Sequence, residues 1–350
     1  MPAPWRRFVI LFGAAAIGTL LAAAATIALL DPLAVSPLRV VSDEILPQTN
    51  RRYLVPVIVR GHRYDSYIVG TSSIHSLDPK RFDELMPGRF ANLSLFASTP
   101  FEQAQVIRLV ARESSGVRTI IWGLDVNWCN LPPLPRYSGL SEFPDWLYDD
   151  DRWNDLLHAF NWSSLDLARR KLQQVFRPKA GRLRADGYLN MMPPEATYDV
   201  ARIRETLRAR PPQRPLVALA APTVEGSAEA GAALPGVAIL EEVVAALPSS
   251  ARVLYVLMPA HASLLPPPGS ADDKRVEDCK AAIAAIARRR GDWVIDAMWH
   301  SAWTVEDTNF WDPQHFRDRL AEGMIDGIGS AVAGVSMAPH IAMRVLARGR

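Results

Sequence analysis

Short apolar runs alternate with longer amphipathic ones over most of this sequence, after an N-terminal stretch from Phe8 to Leu30 that carries no charged residue. Ser66 to Val69 reads as a buried strand ending at Gly70, and Pro79 to Leu85 as a short helix capped by Asp78 with proline in its first turn. Asn92 to Phe96 reads as a second strand. Pro100 to Arg112 has Phe101, Ala104, Ile107 and Val110 or Ala111 on one helical face, with Ser98 or Thr99 as cap. Thr119 to Val126 is the next strand, and after a long irregular stretch the pattern resumes. Strands are expected at Leu216 to Ala220, Val253 to Met258 and Trp293 to Ala297, with helices at Pro235 to Ala246 and Val276 to Arg289. Strands alternating with helices imply an α/β fold, a three-layer α/β/α sandwich whose parallel sheet is covered on both faces by right-handed crossovers.

The uncharged stretch is long enough to span a bilayer as one helix, and Arg6 and Arg7 ahead of it place the first residues in the cytoplasm. Everything after Asp31 is then extracytoplasmic, in a periplasm or its equivalent. Small residues at Ala22 to Ala25 also suit a signal peptidase, but the apolar run exceeds the usual signal-peptide core, so an uncleaved inner-membrane anchor is expected. No second apolar stretch of that length follows, so the chain crosses once. The expected organisation is a cytoplasmic stub and anchor over 1–30, a juxtamembrane linker over 31–59, and one domain over 60–350 with an insertion or lid at about 128–214.

That insertion carries Trp146, Trp153 and Trp162, the acidic run Asp149 to Asp151, several prolines and one amphipathic stretch, Leu165 to Phe176. It reads either as one wall of a substrate groove or as a segment whose tryptophans pack it onto the sheet. A formal charge of +2 without a basic block gives no reason to expect nucleic-acid binding. Cys129 and Cys279 are the only cysteines, which excludes a disulfide scaffold and a Cys-rich zinc site. An oxidising compartment would allow them to pair, but two isolated buried thiols are the expectation.

Two motifs carry the candidate chemistry. Gly70-Thr71-Ser72-Ser73 places Ser72 on a turn at the C-terminal end of a strand, the edge where open α/β sheets bind ligands. In Asp312-Pro313-Gln314-His315, Pro313 suits a first helical turn capped by Asp312, and Phe316, Leu320, Met324 and Ile328 continue as an apolar stripe. A carboxylate beside a histidine can hold one ring nitrogen and leave the other free to take a serine's proton. Ser72, His315 and Asp312 would then be nucleophile, general base and orienting carboxylate. The competing reading is a serine-rich turn, a helix cap and an unrelated histidine. No Gly-x-Ser-x-Gly elbow surrounds Ser72. His261 follows a strand and either contacts substrate or has no role, His75 could sit near Ser72, and His62, His158 and His300 show no partner pattern. No histidine–carboxylate set has metal-ligand spacing on one element, so no metal is expected.

These motifs resemble the SGNH, or GDSL-like, hydrolases, whose serine lies in a Gly-Asp-Ser-like block and whose Asp and His share an Asp-x-x-His block near the last helix. Here threonine replaces that aspartate, Asn92 to Ser98 lacks the family's second-block glycine, and Gly123-Leu124-Asp125-Val126-Asn127 offers its asparagine two positions late. The layout is similar to that of the membrane-anchored proteins of alginate acetylation and teichoic-acid D-alanylation. The resemblance implies an O-acyl esterase or acyltransferase on a cell-envelope or extracellular polysaccharide, without cofactor, with a membrane-bound acyltransferase as a conceivable partner. It points to Asn127 or the amide of Ser98 as oxyanion donors, while Asp125 either lines the pocket or satisfies buried backbone groups. The alternative is a catalytically silent domain of the same type that binds glycan or scaffolds an envelope assembly.

Overall fold

The structure, a computed structural model, describes residues 3–47, 50–177, 183–189, 191–209, 234–335 and 342–350. Its strands are β1 (Ser66–Val69), β2 (Phe90–Asn92), β3 (Thr119–Leu124), β4 (Arg252–Leu257), β5 (Trp293–Asp296) and β6 (Arg344–Ala347). The helices before β4 are α1 (Ala3–Leu30), α2 (Arg51–Arg60), α3 (Pro79–Leu85), α4 (Pro100–Glu113), α5 (Asp145–Tyr148), α6 (Arg152–Ala159), α7 (Trp162–Phe176), α8 (Val200–Ala209) and α9 (Pro235–Ala245). After it come α10 (Ala271–Arg290) and α11 (Asp318–Val332).

One sheet runs in the order β2-β1-β3-β4-β5-β6, parallel through β5 with β6 antiparallel at the edge. Every residue of β1 and β3 is buried, as their predominantly apolar sequences require of strands covered on both sides. Alternate side chains divide between two cores. Tyr67, Trp122 and Tyr255 join residues of α2, α4, α9 and α10 on one face, while Ile68, Ile121 and Leu254 join residues of α3 and α11 on the other. This strand order reverses direction between β1 and β3, so a crevice opens beyond their C-terminal ends. Gly70, at φ 154°, lies there with no room for a side chain, because a Cβ would sit 2.8 Å from the Gly123 carbonyl.

Several elements differ from the sequence expectation. β2 ends at Asn92, whose side-chain carbonyl accepts from the backbone N–H and hydroxyl of Ser94 and bends the chain out of the ladder. Leu93 and Leu95 still donate to Ile68 and Gly70, so the segment expected as strand lies beside the end of β1 in irregular form. α10 begins ahead of Val276 because Ser270 caps it and Asp272 and Asp273 favour a helix N-terminus. α11 begins only at Asp318, which leaves Asp312 to His315 in a loop. The linker expected over 31–59 contains α2, whose residues are largely core, and the insertion holds α5 to α8 where one helix was expected. Trp128 is fully buried, Trp146 is partly buried against the core, and Trp153 and Trp162 are exposed. The expected strand at Leu216 to Ala220 lies outside the described residues. Cys129 and Cys279 form a disulfide, with Cα atoms 5.6 Å apart, that ties the turn after β3 to α10; the expectation of two free thiols is corrected.

α1 is long and apolar enough to cross a membrane or to serve as a signal sequence.

Candidate active site

Three loop segments meet at the crevice. The turn after β1 brings Ser72, whose Oγ lies 2.8 Å from His315 Nε2. On the other side of the ring, His315 Nδ1 lies 2.7 Å from Asp312 Oδ2. The sequence assigned these two to a first helical turn, but they occupy an Asx turn: Asp312 Oδ1 accepts the backbone N–H groups of Gln314 and His315 at 2.8 and 3.0 Å. An antiparallel bridge between Phe310 and Phe316, both buried, closes the loop and aims the histidine across the sheet edge. Burial acts against the charged form of Asp312, but the hydrogen bond and charge of His315, with the two backbone donors, outweigh it. The carboxyl is held below its ordinary value. An ionised carboxylate at Nδ1 fixes the proton there and leaves Nε2 to accept from the serine.

Beside the serine is a cavity of about 240 Å³. Thr71, Ser72, Ser73, Ser98, Asp125, Asn127 and Gln314 form its polar side, and Val126, Met258, Ala260, Leu264, Leu265 and Met298 its apolar side. Asp125 does both things the sequence allowed it. Its Oδ1 caps the 3₁₀ turn Val126–Cys129 by accepting from Asn127 N–H at 3.0 Å, and it lines the cavity. Burial raises its pKa, opposed by hydrogen bonds from Asn127 and from Thr71, the residue standing where a Gly-Asp-Ser block would have aspartate. Asn127 also lines the cavity, with its Oδ1 accepting from Asn130 at 3.3 Å.

No protein-family model and no curated protein sequence matches the chain.

Ser98 lines the cavity, but its donors are engaged: its N–H goes to Leu95 O at 3.2 Å and its hydroxyl to Gly70 O at 3.4 Å. Its amide, expected as an oxyanion donor, is therefore not a free donor. Ala97 lies in the left-handed region at φ 49°, and its backbone N–H, like that of Ser72, meets no acceptor among the described residues. The sequence shows no glycine here because alanine itself adopts the conformation a glycine favours. His261 is not part of the cavity lining. Its ring nitrogens face Ser263 Oγ at 2.8 Å and Asp307 Oδ1 at 3.1 Å, and its backbone N–H donates to Pro313 O at 2.8 Å, so it braces the loop carrying Asp312.

Two residues behind Ser72 complete the candidate site. His75 Nδ1 donates to the Ser72 carbonyl, and its ring meets the edge of Phe96 at 5.4 Å. Burial, aided by the charges of Arg51 and His315, pushes it down to about 4 despite the bond to Ser72, so it is neutral at neutral pH. Arg51, on the stretch read as linker, is wholly buried and donates to the carbonyls of Asn92 and Gly187 at 2.8 Å and to that of Ser94. It anchors the segment that carries Ala97, and burial pushes its guanidinium down to about 10. Nothing in its local sequence separates it from the neighbouring arginines, since its partners lie far along the chain. Among the described residues, no three His, Cys, Asp or Glu side chains converge to hold a metal ion.

Proposed function

We propose that the protein is a membrane-anchored, extracytoplasmic O-acyl esterase or acyltransferase of the SGNH type, acting on an envelope or extracellular polysaccharide. The observation that carries this reading is the continuous hydrogen-bonded line Asp312–His315–Ser72, assembled from two loops far apart in sequence at one sheet edge. Ser72 Oγ attacks the ester carbonyl as His315 Nε2 takes its proton, and the oxygen of the resulting tetrahedral species is met by the N–H groups of Ser72 and Ala97. His315 then returns the proton to the leaving sugar oxygen, and an acyl group remains on Ser72. Water resolves that ester in the esterase, and a second sugar hydroxyl in the transferase, each giving its proton to His315. The acyl chain lies on the apolar side formed by Met258, Leu264, Leu265 and Met298. The Cys129–Cys279 disulfide supports an oxidising, extracytoplasmic setting, and the single apolar helix α1 supports the anchor. A membrane-bound acyltransferase could supply acyl groups to such a site, and the reading calls for no metal or dissociable cofactor.

The test is reaction of the full-length protein in nanodiscs with a serine-reactive fluorophosphonate, read by intact mass. One adduct on the wild type, absent from Ser72→Ala and lost or strongly slowed in His315→Ala, is the expected result. A folded wild type that stays unlabelled would refute the enzymatic reading and leave the silent glycan-binding domain.

A further inference from the structure

Large apolar side chains stand in water on α6, on α7 and between them: Trp153 is 85% exposed and Trp162 82%, with Leu157, Phe160 and Phe176 also exposed. Patches of this kind on a folded domain mark a surface that something covers. Their position relative to α1 says what. α1 packs on α7, and the buried Lys171 of α7 donates from Nζ to the carbonyl of Asp31, the first residue past the apolar helix, at 3.1 Å. The chain after α1 folds back at once, with Val40 N–H donating to Leu29 O at 2.8 Å, so Val40 is exposed beside the last turn of the anchor. A cavity lined on one side by Ala34 to Pro37 and on the other by Arg152, Trp153 and Leu156 places the start of α6 against the same turn.

We infer that α6 and α7 form a foot lying in the lipid headgroup region of the bilayer that α1 crosses, with Trp153, Leu157, Phe160, Trp162 and Phe176 immersed in it. The inference rests on α1 being a retained anchor and is independent of any catalytic role for Ser72. α7 has the required two-sided character. It turns Leu167, Ala168 and Lys171 inward, and its outward face carries Trp162 and Phe176 together with Arg169 and Arg170, which pair with Asp166 and so meet the headgroups as a partly neutralised cluster. Tryptophan and arginine are the side chains that favour the membrane–water boundary, where an indole's apolar body and polar N–H each find a matching layer. The same cavity is lined by Arg60 and His62, which precede β1, whereas Ser72 follows it. The foot and the candidate active site therefore belong to opposite edges of the sheet.

Spin labels on the full-length protein in nanodiscs test this, since the two native cysteines are paired and do not compete for the label. Labels are placed at Leu157→Cys and Phe176→Cys in the foot, at Leu20→Cys in the anchor, and at Val305→Cys near the catalytic loop, all exposed positions on which the fold does not depend. Expected are labels at 157 and 176 that are relaxed by dissolved oxygen and shielded from a water-soluble nickel chelate, as at 20, with the opposite at 305. Nickel access at 157 and 176 equal to that at 305, with 20 still lipid-buried, would overturn the foot and leave the anchor standing. Nickel access at 20 as well would overturn both. Shielding at 157 and 176 from oxygen and nickel alike would mean that a protein surface covers the face, and would also overturn the inference.

Discussion

His75 gives its Nδ1 proton to the backbone carbonyl of Ser72, the same residue whose hydroxyl faces His315. One histidine thus holds the serine's backbone while another addresses its side chain. His75 Nε2 is buried without a partner among the described residues, so the ring has no neighbour that would accept a second proton. A base whose folded pKa is depressed leaves stability whole above its unfolded value. As pH falls from 6.5 towards about 4 the unfolded chain takes up a proton that the folded one refuses, and stability is lost. The expected loss is about 3 kcal/mol over that interval. Asp312 titrates below 3.8 and so lies outside the window, and the opposite contribution of Asp125 is common to wild type and variant. The check is the difference in urea-unfolding free energy between wild type and His75→Gln at several pH values. The difference should shrink as pH falls, and a constant difference would show that His75 does not titrate between the states.

Asp312→Asn should keep the fold, because asparagine's oxygen can still accept from the backbone of Gln314 and His315. It should slow acylation of Ser72 by about 10⁴-fold, since the amide would favour the wrong tautomer of His315. Rates of fluorophosphonate labelling, with circular dichroism as the folding control, decide this.

Ala97 holds a left-handed backbone at φ 49°, which costs an L-residue roughly 1–2 kcal/mol. Ala97→Gly should leave stability within about 1 kcal/mol, because relief of that strain is offset by the freer unfolded chain. Its labelling rate should be unchanged. Ala97→Val should lose both stability and labelling, because a β-branched side chain tolerates positive φ poorly. Melting temperatures and labelling rates of the two variants provide the comparison.

The Cys129–Cys279 disulfide closes a loop of 150 residues in sequence separation. On the chain-entropy model, removing it with Cys129→Ala plus Cys279→Ala should cost up to about 5 kcal/mol. Urea titrations of the oxidised protein and the double variant measure the loss. An unchanged midpoint would mean that the cross-link contributes nothing to stability.

The candidate triad was legible because each member sits in a local signal: a serine on a glycine turn after an apolar strand, and an aspartate three residues ahead of a histidine. The parallel strands were legible for a similar reason, since β1, β3, β4 and β5 are each built around a short apolar run. What escaped depends on partners distant in sequence. Arg51 holds carbonyls from Asn92 to Gly187, and His261 reveals its task only beside Asp307 and Pro313. β6 is an edge strand only partly buried, and its apolar run Val345 to Ala347 is no longer than many in loops and helices. Ala97 was hidden because a sequence does not display φ, and an alanine does not mark a left-handed turn as a glycine does. The pairing of Cys129 with Cys279 needed the turn after β3 and the face of α10 to be adjacent.

The join between α1 and the body has a mechanical consequence. A domain on a flexible tether sweeps a volume set by the length of its linker. This one has none to pay out: Ile27 and Leu30 are themselves buried, Lys171 grips the chain at Asp31, and Val40 is pinned back to Leu29. With α1 retained as the proposed anchor, the body would stand on it as a fixed post, with Ser72 at one height and one orientation above the bilayer. On the proposed function, a polymeric substrate would then have to be threaded past or delivered to that spot, and the anchor would act as a ruler selecting where along an emerging chain the serine can work.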